Sequence, residues 1–259
     1  MSTKLFSKQQ KNRFTGIVGL FLFLAMTSSC SKESKYSSLK GKGKDAKRFV
    51  QTEVFTSVEL YDNIELTIDN SLENNVILIE GGENLIENIS VKNSDNTLVF
   101  RDLNKFKWVY NYKTDVGVSI SGKTLSKIYL HDAANIKTLG SIDSDELYIE
   151  SSDAAGTASI HFSGKKLHIY APLGMSDLIF SGQCENFYAY INDMHYLNAQ
   201  NLQANYTQIH HLGTNLVKAP KTEQLGVTIE NIGDVCYTGN PEILWNESKK
   251  SGKLVSGCP

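Results

Sequence analysis

The chain has 259 residues, 26 of them basic and 28 acidic, for a formal net charge of −2. Nucleic-acid binding needs a clustered basic face, so this balance argues against nucleic acid as a partner. The four cysteines include no CxxC pair and no Cys/His spacing of a zinc module, so no structural zinc site is implied.

The chain opens with Lys4, Lys8, Lys11 and Arg13 and no acidic residue, followed by the apolar run "GIVGLFLFLAM". That run is about half the length a membrane-spanning helix needs. Small residues come next and end at Cys30, in "TSSC". A basic region, a short apolar core and small residues make an export signal. Residues 1–29 therefore read as a lipoprotein signal peptide, with Cys30 lipidated as the mature N-terminus, although Thr27 stands where Leu is usual. A membrane would be the first partner, through the lipid, and the location the cell envelope: outer membrane, periplasmic or surface-facing. Loss of the four basic and no acidic residues of the signal leaves 22 basic and 28 acidic, a net −6.

Residues 30–48 follow as "CSKESKYSSLKGKGKDAKR". Ser, Lys and Gly dominate, and too little apolar surface is present to offset the entropy of ordering, so this is a flexible tether. Residues 49–125 hold "VELYDNIELTI", "NNVILIE", "NTLVF" and "VGVSIS", short β-prone runs broken by Asp-Asn, Gly-Gly and Asn-Ser turns. "GENLIENI" has room for one helical turn. This region reads as antiparallel strands that begin a stack and cover one end.

Residues 126–259 carry a repeat. Taking the last polar residue of each turn as an anchor gives Asn135, Gly156, Asp177, Tyr196, Asn215 and Asp234, at spacings of 21, 21, 19, 19 and 19. A near-constant period of this length marks a solenoid. The residues after the anchors are Ile136, Thr157, Leu178, Leu197, Leu216 and Val235, apolar in all but Thr157. Before the turns, "LYIES", "LHIYA", "FYAYI" and "LGVTI" alternate apolar and polar residues, the period of strands with one buried face. In "NYTQIHHL" the common register would bury Tyr206, Gln208 and His210; a one-residue slip would bury Thr207 and Ile209 instead. The slip is favoured, because an unpaired buried polar group costs about 1–3 kcal/mol. The expected fold is all-β, a parallel β-helix of about 20 residues per coil, with residues 49–259 as one domain.

Near the end stand "GDVCYTGNP" (233–241) and "KSGKLVSG" (250–257), and near the start of the domain "IELTI" (64–68). With the recurring turns between them, these strings resemble the head GIN domain of auto-transporter adhesins, a domain-of-unknown-function family common in Bacteroidetes lipoproteins. The resemblance covers about Phe55 to Cys258 and implies a right-handed parallel β-helix. Most internal Gly-x-Gly turns of the family pattern are eroded here, as in "HDAANI" and "NDMHYL".

Asp132, Asp153 and Asp193 share one column, and Asp177 and Asp234 another. Stacked carboxylates have the chemistry for Ca²⁺ or for an acid and base pair across a glycosidic bond. Asp also recurs wherever a tight turn recurs, because it bonds its own backbone, and that reading is preferred. The six His include no HExxH and read as surface residues. No G-x-S-x-G, P-loop or dinucleotide fingerprint is present, so neither a catalytic role nor a cofactor nor a metal is expected.

In "KFKWVYNYK" (105–113), Phe106, Trp108, Tyr110 and Tyr112 alternate with Lys105, Lys107 and Lys113. Period two signals burial in a core strand more often than binding, and that reading is preferred; the alternative is that Trp108, Tyr110 and Tyr112 form one contact face. Tyr188 and Tyr190 of "FYAYIND" point outward in the register above and form a second candidate contact set. Aromatic faces beside polar groups suit a glycan or a protein ligand. Beyond Cys30, Cys236 and Cys258 are 22 residues apart, close to one coil, and are expected to pair; Cys184 is left over. The expected function is a non-catalytic, adhesive binding surface on a lipid-anchored envelope protein. A polysaccharide lyase or glycosidase and a purely structural envelope protein are the alternatives.

Overall fold

The computed structural model describes residues 42–105 and 116–259, mostly in strands and tight turns. The chain enters through β1 (Asp45–Gln51), β2 (Ser57–Leu60), β3 (Glu65–Asp69) and β4 (Val76–Gly82). One helical turn, α1 (Glu83–Ile86), precedes β5 (Ile89–Ser94), β6 (Thr97–Asp102) and β7 (Val116–Ile120). β8 (Lys127–Asp132) and β9 (Asn135–Leu139) open the regular coils. Four long bent strands follow: β10 (Ile142–Ala154), β11 (Thr157–Gly174), β12 (Asp177–Ile191) and β13 (Tyr196–His211). The chain closes through β14 (Val217–Lys218), β15 (Lys221–Ile229), β16 (Val235–Tyr237), β17 (Glu242–Ser248) and β18 (Leu254–Ser256). The first strand begins at Asp45, inside the segment read as tether.

Equivalent segments pair in parallel, coil upon coil, in a β-solenoid of about six turns with about 20 residues each. Face A consists of β2, β8, the later parts of β10 to β13, β15 and β17. Face B consists of β3, β9, the starts of β11 to β13, then β14, β16 and β18. The start of β10 and the middles of β11 to β13 make a third, shorter face. The interior is filled by stacked columns. On face A, Leu147, Leu167, Phe187, Thr207 and Leu225 lie in register and are all buried. Burying each large apolar side chain is worth about 1.5–3 kcal/mol, and only stacked coils can collect it.

The register corrects two positions of the face B column. Ala158, not Thr157, aligns with Ile136 and Leu178, and Val217, not Leu216, aligns with Leu197 and Val235. The turns absorb the extra residues: the Thr157 N–H donates to Asn135 Oδ1, and Asn215 Nδ2 donates back to the Met194 carbonyl. The column is thus apolar throughout. The "NYTQIHHL" coil takes the slipped register, with Thr207 and Ile209 buried and Gln208 exposed.

The N-terminal region carries antiparallel pairs, β1 with β4, β4 with β7, and β5 with β6. It also contains a true coil. β2 pairs in parallel with both β6 and β8, and β3 with both β7 and β9. Stack order therefore departs from chain order: the chain leaves after Asp69 and returns to lay β6 and β7 against the outer side of β2 and β3, covering the terminal coil. At the other end, Asn246 and Ser248 of β17 stand in register with buried Val227 and Ile229. Polar residues there, the flanking Glu242, Glu247, Lys249 and Lys250, and a register shift opposite Leu225 and Gly226 blunt the exposed edge. A disulfide joins Cys236 to Cys258, with Cα atoms 5.2 Å apart, and ties the last coil down.

Candidate functional site: an aromatic groove on face A

Because strand side chains alternate, each inward residue of face A leaves an outward neighbour, and parallel pairing stacks these too. One outward column runs Tyr148, His168, Tyr188, Gln208; the next runs Glu150, Tyr170, Tyr190, His210. The rings touch across coils. His168 and Tyr188 stack with centroids 4.8 Å apart, Tyr170 and Tyr190 lie 5.2 Å apart, and Tyr190 meets His210 edge-on at 5.4 Å. Between the columns, over Ile169 and Ala189, lies an open depression of about 300 Å³.

Polar contacts fix the walls. The Tyr148 hydroxyl donates to Glu150 Oε2 at 3.0 Å; burial first, then this bond, pushes its phenol pKa up. His210 Nε2 lies 2.9 Å from Glu230 Oε1, which also takes Lys249 Nζ at 2.8 Å. Lys249, followed by His210, holds the Glu230 carboxyl below the usual carboxylate range. His168 Nε2 faces Glu146 Oε1 at 3.3 Å. At the C-terminal end the Trp245 ring lies directly over Gly226, where any Cβ would collide with it; only glycine lets the indole lie flat on the sheet. At the N-terminal end the Arg101 guanidinium sits 3.7 Å over the Tyr61 ring. Tyr61 in turn stacks on His131 at 4.4 Å.

Tyr188 and Tyr190 are thus half-buried on the outer side of face A, in the groove walls. Trp108, Tyr110 and Tyr112, and Cys30, lie outside the described residues. Tyr148, His168, Tyr170 and His210 complete the groove and were missed by the sequence reading. Their signal was present as the outward alternates of "LYIES", "LHIYA" and "NYTQIHH", strings read only for their inward residues.

The histidines need correction. His195 and His211 are fully buried, not on the surface. His195 Nδ1 accepts the Ser176 N–H at 3.0 Å, and His211 Nε2 lies 2.9 Å from the Asn215 carbonyl oxygen. Both fill corners between faces A and B, where a side chain must satisfy turn backbone that water cannot reach. The stacked aspartates also serve the turns. Asp132, Asp153 and Asp193 all have φ near +55°, a conformation Asp tolerates. Asp132 Oδ2 accepts the Asp62 N–H at 2.9 Å, and Asp193 Oδ2 accepts the Gly174 N–H at 3.0 Å. The carboxylates of Asp132 and Asp193 thus bond backbone in the neighbouring coil. Cys184 is buried in the core, and burial pushes its thiol up to about 12.

Fold and site define a β-solenoid whose most organised exposed feature is a face, not an enclosed pocket. The family described as "Putative auto-transporter adhesin, head GIN domain" matches residues 54–241, and the chain belongs to it. No curated protein matches the sequence. Among solved structures, the chain is similar to a putative adhesin from Bacteroides fragilis, with a TM-score of 0.74 at 20% identity, covering 82% of this chain and 97% of that one. A putative adhesin from Parabacteroides merdae gives 0.63 at 18%, covering 84% and 98%. A putative lipid binding protein from Parabacteroides distasonis gives 0.58 at 15%, covering 83% and 98%. At these identities the likeness is one of fold.

Proposed function

We propose that this is a lipid-anchored, non-catalytic binding protein of the cell envelope. Residues 1–29 direct export, Cys30 carries the lipid, and a short tether holds the solenoid off the membrane with face A as its recognition surface. The observation that carries the reading is the pair of outward aromatic columns, in register over successive coils, enclosing an open groove. Large rings on a rigid sheet bury much contact area at little entropic cost, which is how binding anchors work. The adhesin naming of the family and of two structural neighbours is consistent with a binding role.

A glycosidase reading of the same groove fits less well. Such chemistry needs a pair of carboxyl groups flanking the scissile bond, and among the described residues that line the groove none is Asp or Glu. Two measurements test the proposal. Cys30→Ser should move the protein from the membrane fraction to the soluble fraction. Tyr188→Ala with Tyr190→Ala should leave the protein folded while abolishing its binding to isolated envelope material. Membrane retention of the first variant, or unchanged binding by the second, removes the corresponding half.

A further inference from the structure

We infer that the groove on face A takes a neutral, extended glycan lying along the solenoid axis. This rests on the reading of face A as the binding surface and names its ligand class. The groove is walled by Tyr148, His168 and Tyr188 on one side and Tyr170, Tyr190 and His210 on the other. It is shallow and runs across coils, so it suits a thin linear chain in preference to a compact ligand. Its walls repeat with the coil, at about 4.8 Å, and the successive ring centroids keep that step, 4.8 Å for His168 to Tyr188 and 5.2 Å for Tyr170 to Tyr190. A polymer of ring units meets the same pair of walls at each step; the irregular surface of a folded protein does not.

The chemistry of the walls is amphipathic in the same sense as a sugar. Ring carbons give apolar area, while the hydroxyls of Tyr170, Tyr188 and Tyr190 make no hydrogen bond to protein among the described residues and stay open to a ligand. An acyl chain would cover those hydroxyls and leave them unpaired, which costs about 1–3 kcal/mol for each group so buried. A sugar's hydroxyls pair with them. Charge selects further. Among the described residues no lysine or arginine lines the groove. The carboxylates of Glu150 and Glu230 stand beside it, and the Lys249 ammonium is already bonded to Glu230. Uronate- or sulfate-bearing chains would meet the Glu150 carboxylate with no cation in the groove lining, among the described residues, to offset it, so the preferred glycan is neutral.

The test is calorimetric titration of the folded wild-type protein with hexasaccharides of glucose, mannose, xylose and galacturonate. Tyr188→Ala and Tyr190→Ala are run alongside, with circular dichroism confirming their fold. The expected result is binding of at least one neutral hexasaccharide, weaker for its disaccharide, weakened about tenfold by each substitution, and no binding of hexagalacturonate. Galacturonate binding as tightly as the neutral chains, no neutral binding at all, or neutral binding indifferent to both substitutions overturns the inference. If no neutral chain binds but the double substitution still abolishes binding to envelope material, the ligand class is wrong and the surface stands; a protein ligand would give that outcome. If the double variant binds envelope material as the wild type does, the surface itself is wrong.

Discussion

Asp193 and Gly174 sit one above the other in adjacent turns, and the Asp193 carboxylate accepts the Gly174 N–H at 3.0 Å. Each has a left-handed backbone, φ +55° and +128° respectively. Asp62 and Asp132 repeat the arrangement at 2.9 Å near the N-terminal end. The turn column is therefore zipped by charge-assisted bonds between coils, and its residues are those that tolerate positive φ. Asp193→Ala loses the acceptor and forces Ala into that conformation, so it should destabilise by about 3 kcal/mol. Asp193→Asn keeps an acceptor and should cost about half as much. Urea titration checks both; wild-type stability in the Ala variant would contradict the turn role.

Thr207 stands in an apolar column between Phe187 and Leu225, and its buried Oγ1 has no hydrogen-bond partner among the described residues. Valine has the same shape without the hydroxyl. Thr207→Val should raise stability by about 1 kcal/mol, read as a higher denaturation midpoint at unchanged slope. A loss of stability would show that Oγ1 is satisfied after all.

His195 and His211 are buried, and desolvation lowers the pKa of each, outweighing the neighbouring carbonyls and carboxylates that favour the charged form. A group with a depressed folded pKa stays neutral in the native state while the unfolded chain takes up its proton at about 6.5. Their contribution is therefore whole above pH 6.5 and declines as pH falls through the interval down to the folded pKa values. The denaturation midpoint should drop from pH 7.5 to pH 5. Replacing both residues by Gln should flatten that drop, whatever it does to absolute stability; an unchanged slope would contradict the assignment.

The Cys236–Cys258 disulfide fastens β18 to β16 at the blunted end. Cys258→Ala should cost about 3 kcal/mol through the freed loop. Cys184, buried with its thiol up at about 12, should resist alkylation until the protein unfolds, which peptide mass mapping reads directly. Rapid modification of the native thiol would contradict its core placement.

Much of this was readable from the residues because the repeat couples local pattern to stacking. Alternation in "LHIYA" and "FYAYI" put Leu167, Ile169, Phe187 and Ala189 inside, and the polar cost of Tyr206 and Gln208 identified the slipped coil. Two features were not readable. The insertion of β2 and β3 between β6 with β7 and β8 with β9 depends on long-range pairing, and a strand's sequence does not say which neighbour it meets. Burial of His195 and His211 depends on corners that exist only once turns are stacked. The groove lay between these cases: Tyr188 and Tyr190 stood out, but Tyr148, His168 and Tyr170 gain meaning only when register sets them beside those two.

The central claim, that the outer aromatic face of the solenoid is the recognition surface, is tested most directly by the Tyr188→Ala/Tyr190→Ala variant in a quantitative binding assay to isolated envelope material. The variant removes the ring contacts of Tyr188 with His168 and Tyr206 and of Tyr190 with Tyr170 and His210, worth about 0.2–1 kcal/mol each. It should therefore melt below the wild type yet stay folded, whereas Phe187→Ala in the same strand should lose about 3–5 kcal/mol from a single side chain. The account predicts a folded protein that no longer binds; a folded double variant that binds as tightly as the wild type would contradict it.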